Sequence, residues 1–173
     1  SDLRRQRQMC IRDRDMMVQE VQKYQKSVLQ QFGQSIVNSM SNSTYNVHTD
    51  EITPEFFDFE TFVAKNPTAQ IPYDVSRELV YWRKHPDIHG WMKNLFFEKG
   101  GETDCDFNHD NVWLTVKDVL NLKDAIEKDN LPKTSGFFFG DSDGRLKITD
   151  LEKVDSMLDA LQNGSLIYYT SSW

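Results

Sequence analysis

Residues 163–173 read NGSLIYYTSSW. An Asn-Gly pair supplies a turn, and the β-branched and aromatic run behind it has the composition of a strand. Alternation sets Ile167, Tyr169, Ser171 and Trp173 on one face and Leu166, Tyr168, Thr170 and Ser172 on the other. Rings then fall on both faces, more than a strand with one wet side needs. Working back from this strand, residues 149–162 read as a helix capped by Thr149, and Phe137–Phe139 as a short buried strand between glycines. Residues 118–128 read as a helix with Val119, Leu122 and Ile126 inside. Asn111 to Lys117 reads as another strand, so helices alternate with about three strands. The expected fold class is α+β, one small sheet with helices packed on it.

Upstream the period is helical. Over residues 15–40, Val18, Val21, Val28, Leu29, Phe32, Ile36 and Met40 recur at three- and four-residue steps on a Gln/Lys/Ser background. This predicts a long N-terminal amphipathic helix whose narrow stripe suits a homo-oligomeric seam, detached by the polar residues 38–46 from a ligand-binding domain at 45–173. Thr53-Pro54-Glu55 predicts a helix start, with Phe56, Phe59 and Val63 facing inward and a stop before Asn66-Pro67. A further helix is predicted to open at residues 74–76 and to run through RELVYWRKH, and Gly100-Gly101 closes the helix that holds Trp91 to Lys99.

The 173-residue chain is 38% hydrophobic and 27% charged with a net charge of −7, which fits one globular domain. Two cysteines, Cys10 and Cys105, make no disulfide framework and agree with a reducing, cytoplasmic setting. No run is apolar enough to span a membrane. Residues 1–14 hold five of the arginines against two aspartates and read as a non-native arm, with the native start near Met16 or Met17. The body behind that arm is more acidic still, which argues against long nucleic acid as a partner and for a small, locally caged anion.

Between Tyr81 and Trp91 stand two tryptophans, a tyrosine, two histidines, an arginine and a lysine. Wound as a helix, Tyr81, Trp82, His85, Ile88, His89, Met92 and Phe96 share one face. Pro86 is expected to kink that helix and swing Arg83 and Lys84 toward the aromatic face. His85 and His89 have the spacing of a zinc pair, repeated by Cys105 and His109, but the second pair lies in a loop that enforces no geometry. The stretch DSDGRLKITD places Asp141, Asp143 and Asp150 at calcium-ligand positions, yet Phe139 occupies the first, so a turn is expected and no metal or cofactor. No phosphate-binding glycine loop, nucleophile elbow or zinc-protease motif is present.

The order Y-W-R-K-x4-H-x-W, then S-G-F-F-F-G, then an aromatic strand ending in S-W, resembles a family of small phage and prophage proteins. Some of these carry the label phosphoglycerate kinase, although this chain is too short for that two-domain kinase and lacks its nucleotide loops. Together with the residue chemistry, the resemblance implies an anti-defence role in the infected host cell: sequestering a nucleotide-derived immune signal, such as a cyclic ADP-ribose derivative or a cyclic oligonucleotide, without turnover. The expected ligand residues are Tyr81, Trp82, Arg83, Lys84, His89, Phe138, Tyr169, Ser172 and Trp173. Rings would stack on a base, and Arg83, Lys84 and His89 would meet a pyrophosphate. The alternatives are a phosphodiesterase with His89 as general acid/base and a protein-binding inhibitor.

Overall fold

A computed structural model of the chain describes residues 15–31, 33, 58–71, 75–104, 106–134 and 144–172. In order these form β1 (Asp15–Val21), α1 (Lys23–Gln31), α2 (Phe59–Lys65), β2 (Arg77–Arg83), α3 (Pro86–Glu98), β3 (Asn111–Leu114), α4 (Val116–Glu127), α5 (Gly144–Gln162) and β4 (Leu166–Ser172). The four strands make one sheet in the order β2-β1-β4-β3, with every neighbouring pair antiparallel. The fold is α+β.

The long N-terminal helix is not what forms. Residues 15–21 are a central strand paired on both sides, and helix begins only after it, with the nine residues of α1. Val18 and Val21, which looked like one helical stripe, point to opposite faces and lie in two different cores. Residues 15–21 therefore pair into the same sheet as β2 and β4, and Val18, Val21 and Leu29 of the expected stripe are buried within the chain. Of the remaining predicted stripe, Phe32, Ile36 and Met40 lie outside the described residues.

Both faces of the sheet are covered, which explains the two-sided rings of β4. On one face Met16, Val18, Val80, Trp82, Val112, Leu114, Ile167 and Tyr169 pack against Ile88, Met92 and Phe96 of α3, Val119 and Leu122 of α4, and Val154 and Met157 of α5. On the other, Val21, Trp113 and Tyr168 pack against Leu29 of α1 and Phe59, Phe62 and Val63 of α2. A strand buried on both sides loses its polar-apolar alternation. Met16 is fully buried in this arrangement. Met16→Ala is expected to cost about 3 kcal/mol from lost contacts and the cavity left behind. That loss should be the same at low and high protein concentration in thermal unfolding, whereas a residue in a dimer seam would show a concentration-dependent midpoint.

Local chemistry sets the element ends. Asp58 caps α2 by accepting the amides of Glu60 and Thr61, and the Thr61 hydroxyl, bonding the same carboxylate, is the main influence holding it below the ordinary aspartate pKa. Asn66 ends the helix where the proline signal predicts, while the predicted start at Thr53-Pro54-Glu55, with Phe56, lies outside the described residues. Thr115 and Asp118 form a reciprocal capping box on α4. The stretch RELVYWR, predicted helical, is strand β2, with a bulge at Leu79 where the register shifts opposite Val18 and Gln19. The bulge lets both Leu79 and Val80 reach the larger core.

Pro86 kinks nothing, because no helix precedes it. Lys84, at φ +54°, reverses the chain after β2, and Pro86 then occupies the first helical position of α3, where its missing amide hydrogen costs nothing. His85 caps this helix: its Nδ1 accepts the Ile88 amide at 3.4 Å. At the other end Gly100, at φ +83°, closes α3 as expected. Helix α5 begins at Gly144, before the predicted Thr149 cap, and ends at Gln162 as predicted.

Candidate functional site

Strand alternation divides the predicted ligand residues between the two faces of the sheet. Trp82, His89 and Tyr169 lie inside the larger core, at 2%, 2% and 0% exposure. Tyr81, Arg83 and Ser172 lie on the opposite face, and Lys84 is exposed in the turn after β2. These residues do not form one pocket. Phe138 and Trp173 lie outside the described residues, as does the rest of SGFFFG.

The core side is a set of satisfied polar contacts. Asp150 of α5 accepts Trp82 Nε1–H at 2.9 Å on one carboxylate oxygen, and its other oxygen lies 2.7 Å from His85 Nε2. Because His85 Nδ1 is already accepting the Ile88 amide, Nε2 carries the proton and donates to Asp150. His89 Nδ1 lies 2.7 Å from the Tyr169 hydroxyl, and its ring packs against Phe107 at 5.4 Å. The two imidazoles thus serve different partners and do not converge on an ion. Among the described residues no group of three or more His, Cys, Asp or Glu is placed to hold a metal. Asp150, a calcium-ligand position by sequence, is instead a helical residue that ties α5 to the β2–α3 junction.

The end of the second face that carries a cleft is more informative. Pairing aligns Tyr81, Met17, Thr170 and Asn111 in one row across all four strands, and Arg83, Asp15 and Ser172 in the next. Beside these rows lies a cleft of about 440 Å³ lined by Met17, Gln70, Ile71, His109, Asn111, Tyr168, Thr170, Ser171 and Ser172. Its walls offer an imidazole, two carboxamides and several hydroxyls, and no carboxylate. A larger cleft of about 770 Å³ lies at the opposite end of the sheet, but Glu20, Glu152, Asp155 and Asp159 line it beside Arg77 and Lys23. An anion would meet four carboxylates there and none in the lining of the first.

His109 reaches the cleft through a loop with Asp106, Phe107 and His109 all in the left-handed region, at φ +53°, +59° and +62°. Such angles cost a non-glycine residue about 1–2 kcal/mol each. The surroundings enforce them. The Phe107 ring is fully buried against Phe96 at 4.8 Å and Tyr169 at 5.7 Å, while its carbonyl accepts the Ser171 hydroxyl at 2.9 Å. Asp106 pairs with Lys93, and Asp110 accepts the Thr103 hydroxyl at 2.5 Å. The His109 amide then donates to the Ser171 carbonyl at 2.8 Å, and Gln70 Nε2 donates to the His109 carbonyl at 3.3 Å. The backbone that presents this imidazole is therefore fixed.

Sequence reasoning did not find Gln70, Asn111 or Thr170, and it weighed His109 only as a zinc ligand. The signal for Asn111 and Thr170 was there: polar residues in two strands that the topology makes neighbours. Among the described residues no helix is long and apolar enough to cross a membrane. No protein-family model, curated protein or solved structure matches the chain.

Proposed function

We propose that the sheet-end cleft binds a small anionic, nucleotide-derived ligand and holds it without turnover. The observation that carries this reading is the cleft that has no carboxylate in its lining, in a chain of net charge −7 whose larger cleft is lined by four. A volume of about 440 Å³ falls within the range of small-molecule sites and accommodates one nucleotide unit. Outside the cleft's lining but on the same face, Tyr81 offers a ring for a base, and Arg83, across Asp15 from Ser172, offers a planar fork for a phosphate. Asn111, Thr170 and Ser172 supply hydrogen bonds suited to ribose hydroxyls and base edges.

The expected ligand set changes accordingly. Tyr81, Arg83 and Ser172 remain, and His109, Asn111, Thr170 and Gln70 join them. Trp82, His89 and Tyr169 become the support beneath. In an infected cell, capture of this kind would draw down a cyclic ADP-ribose derivative or cyclic oligonucleotide before its receptor responds. His109 in the cleft favours a second reading, a phosphodiesterase in which it is the general acid/base.

One assay separates the two. The protein is incubated with a panel of cyclic nucleotides, free ligand is followed by chromatography, and the protein is then heat-denatured. The expected result is depletion of one ligand followed by its return intact. Products of altered mass would establish the hydrolase instead, and a panel with no depletion at any stage would refute both.

A further inference from the structure

Ten polar or charged side chains are buried among the described residues, and nine of them have a hydrogen-bond partner within the chain. The tenth is Asn111, 7% exposed, whose carboxamide has no partner among the described residues. Asn66, buried to the same 7%, shows the usual solution: its Nδ2 donates to the Phe62 carbonyl at 3.0 Å. A buried amide without a partner costs free energy, so the partner of Asn111 is to be sought outside the chain. The carboxamide faces the cleft at the sheet end. Asn111 lines that cleft, and Gln25 Oε1 is the one fully enclosed side-chain N or O atom without a partner among the described residues, so the amide of Asn111 is reached from the cleft. Its place is fixed: β3 pairs Asn111 with Thr170, and Trp113, two residues on along the same face, donates its amide to the Pro67 carbonyl and Nε1 to the Ala69 carbonyl, both at 2.8 Å. In the same lining Met17 and Ile71 supply apolar surface for the faces of a flat ring.

On the reading of this cleft as a nucleotide site, we infer that Asn111 selects the base, and that the base is adenine. A carboxamide holds one acceptor and one donor side by side in a plane. Adenine presents the complement: its N6 amino group donates to Oδ1, and its N7 accepts from Nδ2. Guanine has two acceptors, O6 and N7, on that edge, which call for arginine or lysine, and its other edge carries two donors, which call for a carboxylate. The lining has none of these. Asn111 and Tyr81 end one row across the four strands, about 14 Å apart at the usual strand spacing, so the base at Asn111 is not one that stacks on Tyr81. Of the two ligand classes, the cyclic oligonucleotide has the second base that this arrangement takes.

The test is calorimetric titration of the full chain with cyclic di-AMP and cyclic tri-AMP, each beside the analogue in which inosine replaces adenosine. The exchange turns the N6 donor into an O6 acceptor and leaves N7 as it was. The adenine member is expected to bind about tenfold tighter or more. Asn111→Leu, close in volume, should bring it down to the inosine level, and should leave the thermal midpoint unchanged or higher because no protein hydrogen bond is lost. Equal affinities of the two members in the parent would overturn the inference and leave the cleft a nucleotide site. A preference that survives Asn111→Leu would place the selection elsewhere and overturn it as well. So would a lower midpoint in both Asn111→Leu and Asn111→Val, which would make the carboxamide a structural group. If neither adenine ligand binds, the inference fails, and the wider panel of cyclic nucleotides decides whether the reading of the cleft fails with it.

Discussion

Asp150→Ala is expected to lower the stability of the protein by about 3–5 kcal/mol, the cost of removing one partner from a buried polar network. Its carboxylate, with a side-chain exposure of 5%, is shared by Trp82 and His85, residues 68 and 65 positions away. Deleting it leaves the indole N–H and the imidazole Nε2–H buried without an acceptor. For a chain of this length the loss corresponds to a fall of roughly 10 °C in Tm. Asp150→Asn should cost less, about 1–3 kcal/mol. Its oxygen can still accept from Trp82, but its amide then faces the Nε2–H of His85. The imidazole can relieve that conflict only by moving its proton to Nδ1, which gives up the cap on α3. Denaturant unfolding of both variants checks the order. Equal and small losses would mean that α5 is held by apolar packing alone.

How much of this was legible depended on whether the partners were local. Strand β4 was readable because its evidence is contiguous: an Asn-Gly turn, then β-branched and aromatic residues. Helix α4 was readable from its period, and the ends of α2 and α3 from Asn66-Pro67 and Gly100. Strand β1 was not, because DMMVQEV also fits a helical stripe on a polar background. What makes Glu20 tolerable inside a sheet lies far off in the chain, and what Gln19 bonds lies two residues away. Glu20 is bonded by Arg77 at 2.9 Å and by Ser165 at 2.7 Å, and Gln19 donates to the Met17 sulfur at 2.8 Å. Without those partners two buried polar side chains read as solvent-facing.

The site failed for a related reason. Tyr81 and Trp82 were placed with His85 and His89 because all were wound on one helix, where three- and four-residue steps share a face, and Arg83 was brought to them by the expected kink at Pro86. In a strand, adjacent residues face opposite ways, so a single change of period moved Trp82 into the core and left Tyr81 and Arg83 outside. Pro86 was the cue that could have prevented this. A proline is as good a first helical residue as it is a kink, and the first use requires the preceding segment to be something other than helix. His109 was beyond reach by any such cue. Its left-handed backbone is imposed by the burial of Phe107, and no glycine marks it.

The division of the sheet into a larger core face and a second face that carries the cleft makes a paired expectation that bears directly on function. Arg83 is exposed at the end of β2, so Arg83→Ala should change stability by no more than about 0.5 kcal/mol. If its guanidinium meets a phosphate, the same substitution should weaken ligand capture about tenfold or more, the equivalent of one charge-assisted hydrogen bond. His89→Ala should do the reverse. The substitution removes the buried imidazole whose Nδ1 lies 2.7 Å from the Tyr169 hydroxyl and opens a cavity beside Phe107. Stability should fall by about 2–4 kcal/mol, while capture by the folded fraction stays close to that of the parent. Ligand depletion by each variant, measured beside its own denaturant curve, separates the two effects. Undiminished capture by Arg83→Ala would remove Arg83 from the site. Lost capture by a fully folded His89→Ala would return the ligand to the core face of the sheet.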